Sequence, residues 1–342
     1  MEKPLKNPAA VFRSLSTMIS AGIAIHHALE LLAESAEDSD DSEIMESLAA
    51  GISTGRTLSI CMSEHPKAFS AYIVGLVRMG ERTGALARLL DTIAGHTEKS
   101  EALRLKLRSA VTYPAFLITG ALTMMMVGPS YVLEGQLKML QQSGQELPRL
   151  TRLMIWWSEL IGSPLFLLAV ALMLGGSAAA LSDPERRRRI WVQLHRIPIL
   201  EEFLKLMASA RFARSLEVAL KSGLPVLQAL PLAATASGDP LLERRIEVAK
   251  QELIAGDTVS GSLRAIGFFP SSFASLVESG EEAGKLPLML ALIAQFAELE
   301  LELTIRKFTT LIEPAILLVM GVFTALVLVA TLQPTISLLQ TL

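Results

Sequence analysis

Two glutamates occupy equivalent places in a motif that occurs twice, and they are the residues with the clearest potential for binding chemistry. Glu81 and Glu281 each lie in the pattern Gly-Glu-x-x-Gly-x-Leu, and the two copies are 200 positions apart. The first glycine can adopt the left-handed backbone just past a helix end, and the second frees the start of the next helix. A carboxylate near that start is favoured by the helix dipole by about 0.3–1 kcal/mol. The preferred interpretation is a capped turn between two helices, and the alternative is a contact point for a partner.

A third glutamate stands at the start of a long uncharged run. The candidate partner-contact residues are therefore Gly80, Glu81, Gly84, Gly280, Glu281, Gly284 and Glu313. Glu313 directly precedes Pro314, where the first copy has Tyr113 and Pro114. Each proline is expected to start or to kink an apolar helix. A charge at the edge of hydrocarbon is costly unless it is paired or hydrated. Glu313 is thus expected either to pair with a basic residue such as Arg306 or to extend its side chain to water.

Patterns typical of enzymes are missing from the sequence. It contains no phosphate-binding Gly-Lys-Ser/Thr loop and no Gly-x-Ser-x-Gly nucleophile elbow. Its five histidines lack the spacing of a metal site, and Cys61 is the single cysteine. We therefore predict no catalytic residues, no cofactor and no metal.

The motif is part of a module that is written twice. Arg13, Gly22 and Gly55 have counterparts 201 positions later in Arg214, Gly223 and Gly256, and Glu98 has one in Glu298. Apolar residues recur every three or four positions in both halves, which is typical of amphipathic helices, and sustained strand-like alternation is missing. The sequence predicts an all-α protein with two repeated helical bundles.

Three uncharged runs are long enough to cross a bilayer. They comprise the 25 residues after Arg108, the 23 after Glu159 and the 29 after Glu313. A membrane-spanning helix needs about 20 apolar residues. Hydrophobic residues make up 51% of the chain and its mean hydropathy is +0.44, which favours an integral membrane protein. Apart from Glu313 the runs lack charges, which argues against a transporter.

Basic residues next to these runs predict the topology. Arg186, Arg187, Arg188 and Arg189 follow the second run directly, and arginines and lysines also precede the first and third. Cytoplasmic flanks carry such residues, so both bundles are expected inside and the C-terminus outside. The arginine run could instead bind nucleic acid, but its position and the net charge of -3 favour topology and contact with anionic lipid. With no pair of cysteines and no apolar leader, the N-terminus is expected to stay uncleaved in the cytoplasm.

The expected organisation follows from these observations. It comprises a cytoplasmic helical domain at 8–110, a transmembrane helix at 111–133, an outside loop at 134–159, a second transmembrane helix at 160–182, a second cytoplasmic domain at 183–310, a third transmembrane helix at 311–333 and an outside tail at 334–342.

The order of these motifs resembles a known family. The pattern occurs twice: an amphipathic helix that ends in Ala-Gly or Ser-Gly, then Phe-Pro, then Gly-Glu-x-x-Gly-x-Leu, then Tyr-Pro or Glu-Pro before an apolar run. It is similar to the F-type platform proteins of bacterial type II secretion systems and type IV pili. The likeness extends from about Phe12 to Pro334. The first copy departs from it at Lys67-Ala68-Phe69, where the second has Phe268-Phe269-Pro270, and the chain would be a short member.

The resemblance implies a function without catalysis. A homo-oligomer in the bacterial inner membrane would couple a cytoplasmic hexameric ATPase to the insertion or extraction of pilin or pseudopilin subunits, beside other inner-membrane assembly proteins. The alternatives are a membrane scaffold of an unrelated assembly and a transporter.

Overall fold

The computed structural model describes residues 4–143 and 198–340 and, between them, only positions 152, 153, 156, 157, 159, 160, 163, 166 and 168. The described residues contain helices and no strands. The helices of the first half are α1 (Pro8–Ser20), α2 (Ile25–Ser35), α3 (Ser39–Ser53), α4 (Leu58–Ser63), α5 (Ala71–Thr83) and α6 (Leu86–Ser143). Those of the second half are α7 (Pro198–Lys221), α8 (Val226–Ser237), α9 (Pro240–Ile254), α10 (Val259–Ala265), α11 (Ser271–Glu282) and α12 (Leu286–Gln340).

The two halves begin and end their helices with equivalent residues. Gly22 and Gly223 have φ of +86° and +85° and follow the first helix of each half. Glycine adopts this conformation without the steric cost that a Cβ would add, so the chain can turn there into the next helix. Asp38 and Asp239 accept hydrogen bonds from the first-turn amides of α3 and α9. The predicted duplication is therefore confirmed at the level of helix ends.

The helices that contain the apolar runs extend beyond them, and the limits of the membrane spans stay predictions. α6 continues to Ser143 and α12 to Gln340, past the expected limits at 133 and 333. Residues 136–142 are mostly strong helix formers, so nothing at 133 ends the helix. Pro114 and Pro314 both lie inside these helices, so neither starts one.

The chain divides into two compact units, of which the first holds both repeats. It comprises Met1–Leu105 and Ile190–Glu302. Its core is built from both halves, and the largest fully buried side chains are Tyr72, Phe12, Phe212, Leu29, Met45, Leu48, Met62, Leu76, Leu90, Ile93 and Leu216. The shared core shows that the two repeats fold against each other as one body.

The second unit comprises Lys106–Arg189 and Leu303–Leu342. Among the described residues, two helical stretches are long and apolar enough to cross a membrane, Leu86–Gly128 and Leu286–Leu332. Residues from α6 and α12, among them Leu122 and Ile316, line an apolar groove of about 250 Å³ in this unit. The predicted span at 160–182 and the arginines at 186–189 fall almost entirely outside the described residues.

Candidate functional site

The Gly-Glu-x-x-Gly-x-Leu motif forms the joint between α5 and α6 and, in the second repeat, between α11 and α12. Gly84 and Gly284 have φ of +68° and +64° and follow the helix end. The amide of the next residue then donates back to the carbonyl of Gly80 at 3.0 Å or Gly280 at 2.8 Å. This pattern is a left-handed helix cap, and it confirms the predicted helix–helix joint.

Within each motif, the two glycines have the opposite roles to those expected from the sequence. Gly80 and Gly280 lie inside α5 and α11 and are buried. A Cβ on Gly280 would lie 2.8 Å from Cγ of Met289 and 3.2 Å from Cα of Leu286, and one on Gly80 would lie 3.1 Å from Cα of Leu86. The first glycine thus lets the following helix pack closely, and the second glycine ends the helix.

The glutamates also stabilise a different helix from the one expected. Glu281 lies in the last turn of α11 and accepts hydrogen bonds from the amides of Val259 at 2.8 Å and Ser260 at 3.0 Å, and from the Ser260 hydroxyl at 2.9 Å. These groups form the first turn of α10, so the carboxylate caps that helix rather than α12. The assignment to the following helix was wrong because the preceding helix, α10, folds back so that its first turn meets the end of α11, 21 positions later.

Glu81 repeats this arrangement in the first half of the chain. Its carboxylate accepts from the Ser59 amide at 3.2 Å and the Ser59 hydroxyl at 2.5 Å, at the start of α4. The sequence analysis missed Ser59 and Ser260 as partners. A signal was present, because both serines follow a threonine by two positions in each repeat, as Thr57 and Thr258.

Hydrogen bonding sets the charge state of the second of these carboxylates. Burial disfavours the charged form of Glu281, but the hydrogen bonds from Ser260 and Val259 outweigh burial and lower the pKa of the carboxyl below its ordinary value. The side chain is therefore ionised at neutral pH and committed to the fold. Partner contact by Glu81 and Glu281 stays a prediction, and the exposed side chains beside them are Arg82 and Glu282.

An ion pair between an arginine and a glutamate stabilises each repeat, and we call it the brace. Arg13 binds both oxygens of Glu98, at 2.9 and 2.8 Å, and also pairs with Asp91. In the second repeat Arg214 binds Glu298 at 3.2 and 3.0 Å. Each brace ties the first helix of a repeat to the long helix that ends it. The recurrence of these residues was evident in the sequence, but their pairing was not.

The remaining candidates lie apart from the joints. Glu313 is exposed on α12 in the second unit, and its pairing with a basic residue or extension to water stays a prediction. Arg186, Arg187, Arg188 and Arg189 lie outside the described residues. Within the part of the chain that the structure describes, no three His, Cys, Asp or Glu side chains group in a way that could hold a metal ion.

The repeated joint and its braces coincide with a recognised family domain. The model of the family described as "Type II secretion system (T2SS), protein F" matches residues 11–133 and, a second time, residues 212–334. The chain belongs to the type II secretion system protein F family. The resemblance seen in the motifs is thereby confirmed, and each matched segment contains one complete set of the features above.

Relatives with assigned names match the chain over almost its whole length. Type IV pilus assembly protein PilC of Thermus thermophilus is 34% identical over 99% of this chain and 84% of its own length. Type IV pilus assembly protein TapC of Aeromonas hydrophila is 32% identical over 95% of this chain and 80% of its own. Type II secretion system protein F of Pseudomonas aeruginosa is 30% identical, with 97% and 82% covered. The chain is thus similar both to type IV pilus assembly proteins and to a type II secretion system protein.

Proposed function

We propose that this protein is a non-enzymatic inner-membrane platform of a type IV pilus or type II secretion machine. It couples a cytoplasmic assembly ATPase to the insertion or extraction of pilin-like subunits. The observation that carries this proposal is the match of the protein F family to both halves of the chain, together with relatives named for pilus assembly and for secretion.

Membrane insertion is the second part of the proposal. The apolar stretches of α6 and α12 supply two of three spans, with the third at 160–182. The basic residues that flank the runs favour a cytoplasmic N-terminus and both repeats on the cytoplasmic side, with the C-terminus outside. Anionic lipids, other inner-membrane assembly proteins and further copies of the chain complete the proposed set of partners.

The geometry suits a part that transmits motion rather than one that performs a reaction. Each long helix begins at a rigid joint and continues into its apolar stretch without a break. The braces from Arg13 and Arg214 fix the near end of each long helix to the first helix of the same repeat. In this proposal, a displacement of a repeat by a motor moves the start of the helix that continues into the apolar stretch.

The test asks whether the exposed faces beside the joints contact the machine. Charge reversal of Glu81 or Glu281 is unsuitable, since each carboxylate caps a helix and its loss would confuse folding with binding. We instead change Arg82→Glu and Glu282→Lys together, and use the exposed Arg244→Glu on α9 as the matched control. Co-purification of the ATPase and a pilin-like protein from membranes, and pilus or secretion output, are measured in cells whose only copy of this chain is the one under test.

We expect the double variant to reduce output and recovery of the ATPase while its unfolding temperature matches that of the control. Unchanged recovery and output would exclude these faces as the contact. Absence of both partners from the unmodified protein's membranes, with normal output after deletion of the chain, would overturn the proposed function itself.

A further inference from the structure

The two repeats of the first unit pack through unlike surfaces. The Tyr72 hydroxyl of α5 donates to the Ser215 carbonyl of α7 at 2.9 Å in a buried setting. A Cβ on Gly75 would lie 3.0 Å from Cδ1 of Leu232 on α8, so α5 and α8 are in close contact. We define the docking face of the first repeat by Tyr72 and Gly75, and the seat of the second repeat by Ser215 and Leu232.

Because the chain contains a duplication, the first repeat has a surface equivalent to the seat of the second repeat. Within the single chain this surface is exposed. The positions equivalent to Ser215 and Leu232 are Ser14 on α1 and Leu31 on α2, and both are exposed, Leu31 by 37%. They border a groove of about 460 Å³ lined by Arg13, Ser14, Thr17, Met18, Leu31, Leu32 and Ser35. No described residue from elsewhere in the chain lines this groove.

The second repeat likewise has a surface equivalent to the docking face of the first repeat, and this surface is exposed. Ser272 and Ser275 stand in the places of Tyr72 and Gly75 on the exposed side of α11. Phe296 on α12, in the place of His96, is 59% exposed, and Leu299 is 54% exposed. His96 itself lies against Tyr72 at the contact between the repeats, with ring centroids 5.3 Å apart. An apolar ring is thus exposed to solvent at the position that packing covers in the first repeat.

We propose that the docking face of the second repeat binds the seat of the first repeat in another copy of this chain. The contact between chains would use the equivalent pair of surfaces. Its side-chain contacts differ from those within one chain, because Ser272 lacks the Tyr72 ring and Ser275 carries a Cβ where Gly75 has none. This proposal rests on the self-association included in the proposed function and specifies its surface. The contact is heterologous, so successive copies form a ring if the rotation closes and a longer array if it does not.

Side-chain sizes favour a second copy as the occupant. The seat of the second repeat contains the large Arg211, whereas the seat of the first has Ala10 at that position. The docking faces change in the opposite sense, because Phe296 replaces the smaller and more polar His96. Small seat residues therefore leave room for the ring that the opposite face exposes, and Met18, Leu31 and Leu32 supply apolar contacts for it among the polar residues of the groove.

Cross-linking between two tagged populations tests the contact. In a Cys61→Ala background, full-length chains with Leu31→Cys and one tag are co-expressed in membranes with Ser275→Cys chains that bear another tag. Mild oxidation is expected to give a disulfide-linked dimer that contains both tags, and neither variant alone should dimerise. A pair in which the exposed Val248→Cys replaces Leu31→Cys is the matched control and should stay unlinked.

The same surface can be tested without cysteines. Phe296→Glu and Leu31→Glu change exposed side chains, so they leave core packing intact, and each is expected to weaken self-association of the full chain in detergent at least tenfold. Val248→Glu should leave it unchanged. No mixed dimer, homodimers of either single variant, or a disulfide from Leu31→Cys to a different protein would each overturn the proposal. These outcomes do not depend on pilus or secretion output, so the surface and the proposed function fail separately.

Discussion

Arg13 and Arg214 occupy equivalent positions but differ in burial, and this difference predicts how much each contributes to stability. Arg214 and Glu217 have side chains only 8% exposed, and that of Glu298 is 30% exposed, whereas those of Arg13, Glu98 and Asp91 are 42%, 48% and 61% exposed. Removing Arg214 leaves the buried Glu217 with Lys221 alone, at 2.7 Å, and takes the arginine from Glu298, whereas exposed pairs contribute little. We expect Arg214→Met to lower the free energy of unfolding by about 2–4 kcal/mol. Arg13→Met should lower it far less. Denaturant titration of both variants in detergent checks the order, and equal losses would contradict it.

The cap that Glu281 forms on α10 predicts that the contribution of this carboxylate to the free energy of unfolding depends on pH. Its lowered pKa means that the folded state favours the ionised form. The stabilisation is therefore fully present above the ordinary glutamate pKa and is lost as the pH falls through the lower pKa of the folded state. At pH 7, Glu281→Ala should cost about 1–2 kcal/mol, and the difference from the unmodified protein should shrink below about pH 4.

The control for this carboxylate is its neighbour. Glu282→Ala, at an exposed position with no hydrogen bond to a described residue, should change the free energy of unfolding by less than about 0.5 kcal/mol. Thermal unfolding of the three proteins between pH 3 and 7 gives the comparison. A difference that persists unchanged at pH 3 would show that Glu281 acts through packing alone.

Residue patterns predicted which side chains matter but not what they contact. The spacing of Gly80, Glu81 and Gly84 identified a joint, and the joint exists. The partner of Glu81 is Ser59, 22 positions earlier, and its approach depends on how α4 folds back onto α5. Propensities and caps act within a few residues along the chain, so they cannot report a contact created by tertiary packing.

At the scale of helices, the joint glycines should differ in their sensitivity to a methyl group. Gly280→Ala would force Cβ to within 3.2 Å of the Leu286 backbone, which cannot yield as a flexible side chain can. We expect a loss of about 1–3 kcal/mol, typical of an overpacked site. Gly95→Ala, inside α6 with only an Arg13 nitrogen 3.9 Å away, is the control and should be neutral or stabilising by up to about 1 kcal/mol. Denaturant midpoints of the two variants decide the point, and a tolerant Gly280 would contradict the close packing.

Helix order was predictable from periodicity, whereas the ends of the longest helices were not. Gly22 and Gly55 mark turns with positive φ, as their sequence context predicts. Nothing comparable ends the helix where the cytoplasmic domain was expected to give way to the span, and α6 passes through position 110 unbroken. A change from amphipathic to uniformly apolar residues alters the solvent that a helix prefers but does not interrupt its hydrogen bonds.

At the scale of the whole chain, the contact between the repeats includes a partly buried histidine, His96, and this makes the assembly of the first unit sensitive to acid. Burial lowers the pKa of His96 to about 4, and the neighbouring Arg214 guanidinium acts in the same direction against a weaker opposing effect of Glu217. The neutral imidazole lies against Tyr72, and its Nδ1 atom has no hydrogen-bond partner. Protonation is therefore more favourable in the unfolded chain, where the pKa is near 6.5. Stability should fall as the pH drops from about 6.5 toward 4, by about 2 kcal/mol between pH 7 and 5.

Substitution of that histidine isolates its effect from the titration of carboxylates. His96→Gln keeps a polar side chain that does not titrate, so the loss of stability between pH 7 and 5 should largely disappear. His27→Gln, at a histidine whose side chain is 62% exposed, should leave the pH dependence as it is in the unmodified protein. The measurement is the unfolding temperature of the full chain in detergent at pH 7, 6 and 5.

Because the position equivalent to His96 in the second repeat is Phe296, this response belongs to the contact within one chain and not to the proposed contact between copies. A His96→Gln variant that still loses as much stability as the unmodified protein would show that the imidazole does not govern the contact between the repeats.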